Sequence, residues 1–144
     1  MAFSYRFLDD VALADLAFEA SGDSLQELFQ GATNALCDAM AEPASVGTTW
    51  TQEIHREERD PAALLFDWLS DLVYWKDAAS VVFSKAALNL RDEHGLLILD
   101  ATLFGEHVNP DVHTLRADVK GVTKHLYELK QDGKRWVVRV VVDV

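Results

Sequence analysis

Isolated acidic residues stand beside apolar segments in two distant parts of this 144-residue sequence. Asp9, Asp10 and Asp15 lie in and directly after a short predicted loop, and Asp143 follows a strongly apolar run. Carboxylate oxygens are the ligands that hard cations such as Mg²⁺ and Ca²⁺ prefer, so these residues could hold a divalent metal. Three loop acids supply too few ligands by themselves, so a second segment or water must contribute. Without that contribution, a solvated acidic loop is an equally good interpretation.

The segment that contains Asp143 predicts how this residue is presented. Residues 135–143 carry apolar side chains at every even position, which places Asp143 on the other face of a strand, away from the main core. A two-residue turn at 132–133 would pair this strand with the preceding one. The same register would bring Lys120 and Lys124 diagonally beside Asp143 on one face. An ordinary cross-strand ion pair explains the same spacing.

Other kinds of chemistry find little support in the sequence. There is no Gly-x-Ser-x-Gly nucleophile elbow, and the single cysteine, Cys37, falls among apolar positions of a predicted helix. Neither glycine-rich phosphate-binding motif occurs. The five histidines lack the spacing of a zinc site, so each is interpreted as a turn or surface residue. Asp67 and Asp71, four residues apart, are interpreted as part of a solvated helix face and not as a cation site.

Charge and composition restrict the partners and the compartment. Twenty-four acidic and 13 basic side chains give a net charge of −11, which repels phosphate backbones and argues against stable nucleic-acid binding. The same acidity could simply serve solubility. No window approaches the roughly 20 apolar residues of a membrane span, and no secretory signal is recognised, so no membrane partner is expected. A single cysteine allows no internal disulfide, which predicts a cytoplasmic location.

The spacing of apolar residues predicts the elements that must position the acids. A capping box at Ser24 and Glu27 starts the first helix, and Asp60 followed by proline starts the second, which runs to about residue 78. Strands are predicted at residues 3–8, 16–20, 49–55, 81–90, 96–104, 117–130 and 135–143. This order predicts an α+β fold, with two helices packed on a mainly antiparallel sheet in two layers. One domain over residues 1–144 is expected.

The sequence resembles the archease family essentially from end to end. The family's Tyr-x-Phe-Leu opening, Ala-Asp loop and Gly-x-Ser/Thr-Leu-x-Glu-x-Phe segment are matched by residues 5–8, 14–15 and 22–29. Its Leu-Leu-x-x-Trp-Leu-x-x-Leu-x-Tyr helix and its Gly-Glu-x-x-x-Pro-x-x-His segment are matched by residues 64–74 and 105–113. The Val-Lys-Ala-Val-Thr-x-His segment and the Asp-aliphatic ending correspond to residues 119–125 and 143–144.

One loop departs from the family pattern. Where archeases commonly carry His-Thr-Ala-Asp-Val-Gly, this chain has Asp-Val-Ala-Leu-Ala-Asp-Leu-Ala at residues 10–17. The aspartate survives as Asp15, but the His-Thr pair does not. Metal binding therefore carries over to Asp15 better than to its neighbours, and Asp10 is expected to substitute for the lost polar group.

The resemblance implies an accessory function without catalytic residues. Archeases assist the RtcB-type RNA ligase in tRNA splicing or RNA repair by promoting transfer of GMP to the ligase and its repeated turnover, and they widen its nucleotide use. They also bind a divalent cation, for which Ca²⁺, Mg²⁺ and Mn²⁺ are candidates. The implied metal ligands are Asp15, Asp143 and the carboxylate of Val144. The implied supporting residues are Asp10, Lys120, Thr123 and His125.

Two other function classes remain open. A small divalent-metal-dependent hydrolase would use the same carboxylates, but it would need a substrate pocket and more ligands than the sequence offers. A metal-independent acidic protein-binding module would tolerate the loss of both Asp15 and Asp143. The effect of substituting these two residues therefore separates the classes.

Overall fold

The computed structural model describes residues 3–8 and 15–144. In chain order, these residues form β1 (Phe3–Leu8), β2 (Asp15–Gly22), α1 (Leu25–Met40), a 3-10 helix (Pro43–Ser45), β3 (Trp50–Glu58), α2 (Pro61–Ala79), β4 (Val81–Glu93), β5 (Leu96–His107), β6 (Gly121–Asp132) and β7 (Arg135–Asp143). In the part of the chain so described, neither helix offers a stretch that could span a lipid bilayer. The predicted α+β class is confirmed.

The strands form two antiparallel sheets, where the sequence predicted one. The four-stranded sheet has the order β1-β2-β7-β6, and the three-stranded sheet has the order β3-β5-β4. β7 therefore lies between β2, which precedes both helices, and β6, its neighbour along the chain. This central position places β7, near the end of the sequence, directly beside β2, near its beginning.

The predicted helix starts are confirmed because both depend on local caps. The Ser24 hydroxyl accepts the Glu27 backbone N–H at 3.1 Å, which satisfies one of the free donors of the first turn of α1. At the start of α2, the Asp60 carboxylate accepts the Ala62 backbone N–H at 3.1 Å, and Pro61 occupies the first helical position. Ser80, directly after the end of α2, adopts the left-handed conformation common at helix ends, with φ of 53°.

Both helices pack against both sheets. α1 contacts β1, β2 and β7 of the four-stranded sheet and β4 of the other, while α2 contacts β6 together with β3, β4 and β5. Within this core the Trp68 indole N–H donates to the Thr33 hydroxyl at 2.8 Å, and that hydroxyl donates to the Phe29 carbonyl at 2.6 Å. Both buried polar groups are thereby satisfied. The largest fully buried side chains include Trp68, Phe18, Phe29 and Phe83.

The two tight hairpin turns differ in how well the sequence predicted them. His94 and Gly95 join β4 to β5 and have φ of 55° and 88°, as a type I′ turn requires at its two central positions. The β6–β7 turn lies one residue later than predicted, because Asp132 pairs with Arg135. Gly133, with φ of 65°, is then the first central residue, which suits a type II′ turn.

The β6–β7 ladder also contains a bulge that the sequence did not predict. Thr123 is opposite Val141, whereas Glu128, five residues later, is opposite Arg139, only two residues back along β7. Residues 124–127 therefore lie opposite a single residue of β7. A bulge of this kind bends its strand and re-aims the side chains within it.

The displaced turn and the bulge together change the register at the far end of the hairpin. β6 begins at Gly121, later than the start of the strand predicted over 117–130. Val122 pairs with Val142, whereas the predicted turn placed Val122 opposite Asp143. Because side chains alternate between faces, a shift of one residue exchanges the faces of the whole segment.

Candidate functional site

Asp15 and Asp143 lie directly opposite each other in the ladder between β2 and β7. Asp15 is the first residue of β2, so it belongs to a strand and not to the predicted loop. Asp143 is the last residue of β7 and is exposed. Residues directly opposite in an antiparallel ladder have Cβ atoms about 4.5–5.5 Å apart. The fold thus brings together two acids that are far apart in the sequence.

The two aspartates lie on the outer face of the four-stranded sheet. The neighbouring positions Leu16 and Val142 pair with each other and belong to the side that packs against the helices. On the other side of Asp143, its partner in β6 is Gly121, and a Cβ added there would meet no atom within 4 Å. The glycine leaves open space on one flank of the acid pair.

No basic side chain neutralises the acid pair within the described structure. Among residues 3–8 and 15–144, no lysine, arginine or histidine nitrogen lies within 4.0 Å of the Asp15 or Asp143 carboxylate. Like charges directly opposite each other destabilise a ladder, by up to about 1 kcal/mol. The pair is therefore a local electrostatic cost that a bound cation would remove.

Two side chains do not complete a metal site by themselves. In the same two described ranges, no group of three or more histidine, cysteine, aspartate or glutamate side chains has the spacing to hold a metal ion. Ca²⁺ takes 6–8 oxygen ligands and Mg²⁺ keeps several waters, so further oxygen donors are needed beside Asp15 and Asp143. Val144, which follows Asp143 and is 37% exposed, is adjacent to the pair. Asp10 lies outside the described residues.

Lys120 and Thr123 contact the backbone at the end of β7. The Lys120 backbone N–H donates to the Asp143 carbonyl at 2.7 Å, and the Lys120 side chain is exposed. The Thr123 hydroxyl donates to the Val141 carbonyl at 3.0 Å. Both residues therefore hold the strand that presents Asp143. In both cases the acceptor is a main-chain carbonyl of β7, which residue spacing alone does not predict.

The prediction that Lys120 and Lys124 both flank Asp143 on one face is wrong. Gly121, and not Val122, lies opposite Asp143, so neither lysine is a diagonal neighbour of this residue. Lys124 lies in the bulge, and its ammonium group is 3.9 Å from the centroid of the Phe66 ring on α2. This cation–π contact is on the helix side of the sheet, whereas Asp143 is on the outer side. His125 lies in the same bulge and is exposed.

His113 is a buried residue that the sequence analysis placed at a turn or the surface. Only 5% of it is exposed. Its Nδ1 accepts the Asn109 backbone N–H at 3.0 Å, so Nε2 carries the proton and donates to the Glu106 carboxylate at 2.9 Å. The same Glu106 oxygen accepts the Gly47 backbone N–H at 2.6 Å. The hydrogen bond from His113, followed by that from Gly47, holds the pKa of Glu106 below its usual range.

This arrangement gives the Gly-Glu-x-x-x-Pro-x-x-His segment a structural role. Glu106 is at the end of β5, His113 is in the following loop, and Gly47 is in the loop before β3. Two hydrogen bonds to one carboxylate oxygen therefore tie three separate backbone segments together. The signal available in the sequence was the pairing of an acid and a histidine across the Asn109-Pro110 turn.

Two further sequence interpretations can be compared with the structure. Burial raises the pKa of the Cys37 thiol to about 12, so it carries almost no thiolate at neutral pH. Asp71 does not lie on a freely solvated face, because Arg56 donates two hydrogen bonds to it, at 2.7 and 2.8 Å. The bond to Asp71 raises the pKa of the Arg56 guanidinium, and the pair links α2 to β3.

Comparisons with known proteins agree on one family. The sequence model of the Archease protein family matches residues 5–144. Protein archease of Methanosarcina acetivorans is 31% identical over 141 residues, which cover 97% of this chain and 95% of the relative. Protein archease of Pyrobaculum neutrophilum is 33% identical over 142 residues, with the same two coverages of 97% and 95%.

Solved structures share the same fold. The solution structure of protein 1598 of Methanobacterium thermoautotrophicum has a TM-score of 0.83 at 29% identity, covering 97% of this chain and 98% of that one. The crystal structure from Thermotoga maritima, described as an archease and possible chaperone, has a TM-score of 0.63 at 21% identity, with 91% of each chain covered. The predicted packing of two helices on antiparallel strands is thereby confirmed.

Proposed function

Because the chain belongs to the archease family, we propose that it is an accessory protein of an RtcB-type RNA ligase in tRNA splicing or RNA repair. In this role it acts as an activator or chaperone that promotes guanylylation and repeated turnover of the ligase. The description of the Thermotoga maritima relative as a possible chaperone supports the general class. The choice of the ligase as the partner rests on the resemblance to the archease family. The burial of Cys37 is in keeping with a protein that provides no nucleophile of its own.

The observation that carries the proposal is the uncompensated Asp15–Asp143 pair. Two carboxylates at the exposed end of a sheet, placed opposite each other by the register of β2 and β7, form an all-oxygen donor set. Ca²⁺, Mg²⁺ and Mn²⁺ prefer such donors. In the proposal Asp15, Asp143 and the carboxylate of Val144 hold the cation, and Asp10 supplies a further oxygen donor.

Each neighbouring residue has a part in presenting this end of the protein. Lys120 and Thr123 hold the backbone of β7 through hydrogen bonds to Asp143 and Val141. Gly121 keeps one flank open for an approaching group. When bound, the cation would supply positive charge that helps to position nucleotide phosphates in the ligase.

The charge of the protein supports a protein partner over a direct contact with RNA. With a net charge of −11 at pH 7, the chain is attracted to a basic protein surface and repelled by a phosphate backbone. A cytoplasmic location, with neither stable nucleic-acid binding nor a membrane partner, belongs to the same proposal.

The test is ligase guanylylation with GTP, divalent metal and a saturating amount of the wild-type protein or of a variant. Asp15→Asn and Asp143→Asn should each lower the stimulation about tenfold or more, since each removes a charged donor of the proposed site. Asp132→Asn is the matched control, because Asp132 is an exposed acid at the other end of the same sheet. It should stimulate as the wild-type protein does.

Two results would contradict parts of this proposal. If the folded wild-type protein leaves guanylylation unchanged, the ligase is not its partner. If Asp15→Asn and Asp143→Asn stimulate as strongly as Asp132→Asn, the metal role is wrong, and a metal-independent acidic binding module is the better interpretation.

A further inference from the structure

A cavity of about 390 Å³ lies where the ends of both helices meet the segment before β6. Its volume is within the range of roughly 300–1,000 Å³ found for ligand pockets, so it can accept one large apolar side chain. Most of its wall is apolar, and a buried lysine lies at its edge. The residues that matter for its chemistry are Met40, Lys76, Val82, Val108, Leu115 and Ala117.

Exposed aliphatic side chains extend the apolar surface beyond the cavity. Val108 and Leu115, at its wall, are 40% and 42% exposed, and Val112, on the loop between them, is 61% exposed. Contiguous apolar groups at a surface, edged by polar residues, are typical of protein-binding sites. Because the wall residues Val108 and Leu115 are themselves open to solvent, a protein segment fits this surface better than a small molecule enclosed by it.

The two basic residues that line the cavity, Lys76 and Arg116, are each paired with carboxylates. Lys76 lies 2.9 Å from the carboxylates of both Asp77 and Asp118. Arg116 is paired with Asp38 and Glu42. Of these four carboxylates, those of Asp77 and Asp118 line the cavity itself.

Two of these carboxylates can take a second partner. The side chains of Asp77 and Asp118 are 63% and 80% exposed, so each has oxygen surface open to another cation. An apolar cavity with this edge complements an apolar side chain flanked by lysine or arginine.

The cavity adjoins a second depression on the helix side of the four-stranded sheet. A second depression of about 220 Å³ shares Arg116 and Ala117 with it and extends to Leu16, the residue after Asp15. The apolar surface of the cavity therefore extends as far as β2, on the face that packs against the helices.

We propose that this cavity is the docking site of the ligase. An apolar side chain of the ligase, such as leucine, methionine or phenylalanine, enters it, and flanking lysine or arginine side chains pair with Asp77 and Asp118. This inference rests on the proposed function, because it names the same partner. In this proposal the cavity binds the ligase, and the Asp15–Asp143 pair stimulates its guanylylation.

The experiment measures the dissociation constant of the purified ligase and the plateau of guanylylation at saturating protein. Leu115→Glu places a carboxylate at the apolar wall and should raise the dissociation constant about tenfold or more, with the plateau unchanged. Leu126→Glu is the matched control, because Leu126 is 41% exposed, against 42% for Leu115, and lies in the β6 bulge. It should bind as the wild-type protein does.

Two further variants test the parts of the surface independently. Val112→Glu, at a more exposed position of the same loop, should also weaken binding and is less able to disturb the fold. Asp118→Asn should raise the dissociation constant about two- to fivefold and reduce its dependence on salt, compared with Asp132→Asn. Thermal unfolding followed by circular dichroism shows whether each variant is folded.

The results for the two sites can be told apart. Unchanged dissociation constants for folded Leu115→Glu and Val112→Glu would overturn the docking site while the proposed function stands. A wild-type protein that neither binds nor stimulates the ligase would overturn both. A raised dissociation constant for the cavity variants, beside a lowered plateau for Asp143→Asn, is the expected pattern.

Discussion

Two carboxylate sites in this molecule are built in opposite ways. Glu106 accepts hydrogen bonds from the buried His113 and from the Gly47 backbone, so its charge is used inside the fold. Asp15 and Asp143 face each other across a ladder, and among the described residues no basic side chain lies within 4.0 Å of them. The first site stabilises the protein, and the second leaves negative charge available to a bound cation or to a basic partner.

The largest expected effect tests the stabilising site. His113→Ala removes a buried ring and leaves the Asn109 backbone N–H and the Glu106 carboxylate without their partners. We expect a loss of about 3 kcal/mol in the free energy of unfolding, measured with urea. His125→Ala, the same change at an exposed residue, should alter it by no more than about 0.5 kcal/mol. Equal losses in the two variants would show that His113 does not brace the loops.

The second prediction concerns metal addition. A cation that binds only the folded protein stabilises it by about 2.7 kcal/mol at one hundred times its dissociation constant. Ca²⁺, Mg²⁺ or Mn²⁺ should therefore raise the melting temperature of the wild-type protein and of Asp132→Asn, but not that of Asp143→Asn. If none of the three ions shifts the wild-type melting temperature, the acid pair does not bind metal.

The third prediction concerns the acid pair with metal removed by a chelator. Asp143→Asn takes away one of two opposed charges, so the free energy of unfolding should stay the same or rise by up to about 1 kcal/mol. Glu106→Gln should lower the free energy of unfolding, because it weakens the acceptor of the hydrogen bonds from His113 and Gly47. A clear loss of stability in Asp143→Asn would mean that this carboxylate also has an internal partner.

The smallest expected effect comes from His55. It is paired with carboxylates, as His113 is, but it is exposed to solvent, as Asp143 is. Its ring nitrogens lie 2.6 Å from the Asp100 carboxylate and 2.7 Å from that of Glu57, and the side chain is 53% exposed. The hydrogen bond to Asp100, followed by that to Glu57, raises the pKa of His55 above its ordinary value of 6.5. Stabilisation is then fully present below pH 6.5 and is lost as the pH rises through the raised pKa.

An NMR titration of the His55 ring protons checks this prediction. The midpoint should lie above 6.5 in the wild-type protein and should fall in Asp100→Asn, which removes the larger cause. A wild-type midpoint at or below 6.5 would show that the exposed carboxylates are too well solvated to hold the ring charged.

The sequence predicted those elements whose signals are local. Ser24 and Asp60 mark helix starts through hydrogen bonds to residues two or three positions away, and His94 with Gly95 forms a turn that needs only its own backbone conformation. The bounds of β1 and β7 were also predicted correctly, because period-two alternation is visible within each strand.

The sequence could not predict features that depend on distant partners. The register of β6 is set at one end by the Gly133 turn and at the other by Val122 packing beside Val142, and the bulge absorbs the difference. Lys124 was misplaced for this reason. The Glu106 carboxylate that His113 contacts likewise accepts a hydrogen bond from Gly47, which belongs to another loop. The juxtaposition of Asp15 with Asp143 follows from the central position of β7, which no local pattern reveals.

The position of β7 in the sheet has a consequence for how the protein is made. β7 follows β2 and β6 in the chain but lies between them. While the ribosome is still synthesising residues 135–143, β2 is therefore paired only with β1, and β6 has no neighbour in its sheet. Until then the emerging chain exposes the unpaired edges of both strands, and such edges pair readily with other chains. The four-stranded sheet must therefore close late, through contacts of long sequence separation that slow folding. Truncation within β7 during translation would release an aggregation-prone chain and would remove Asp143 as well.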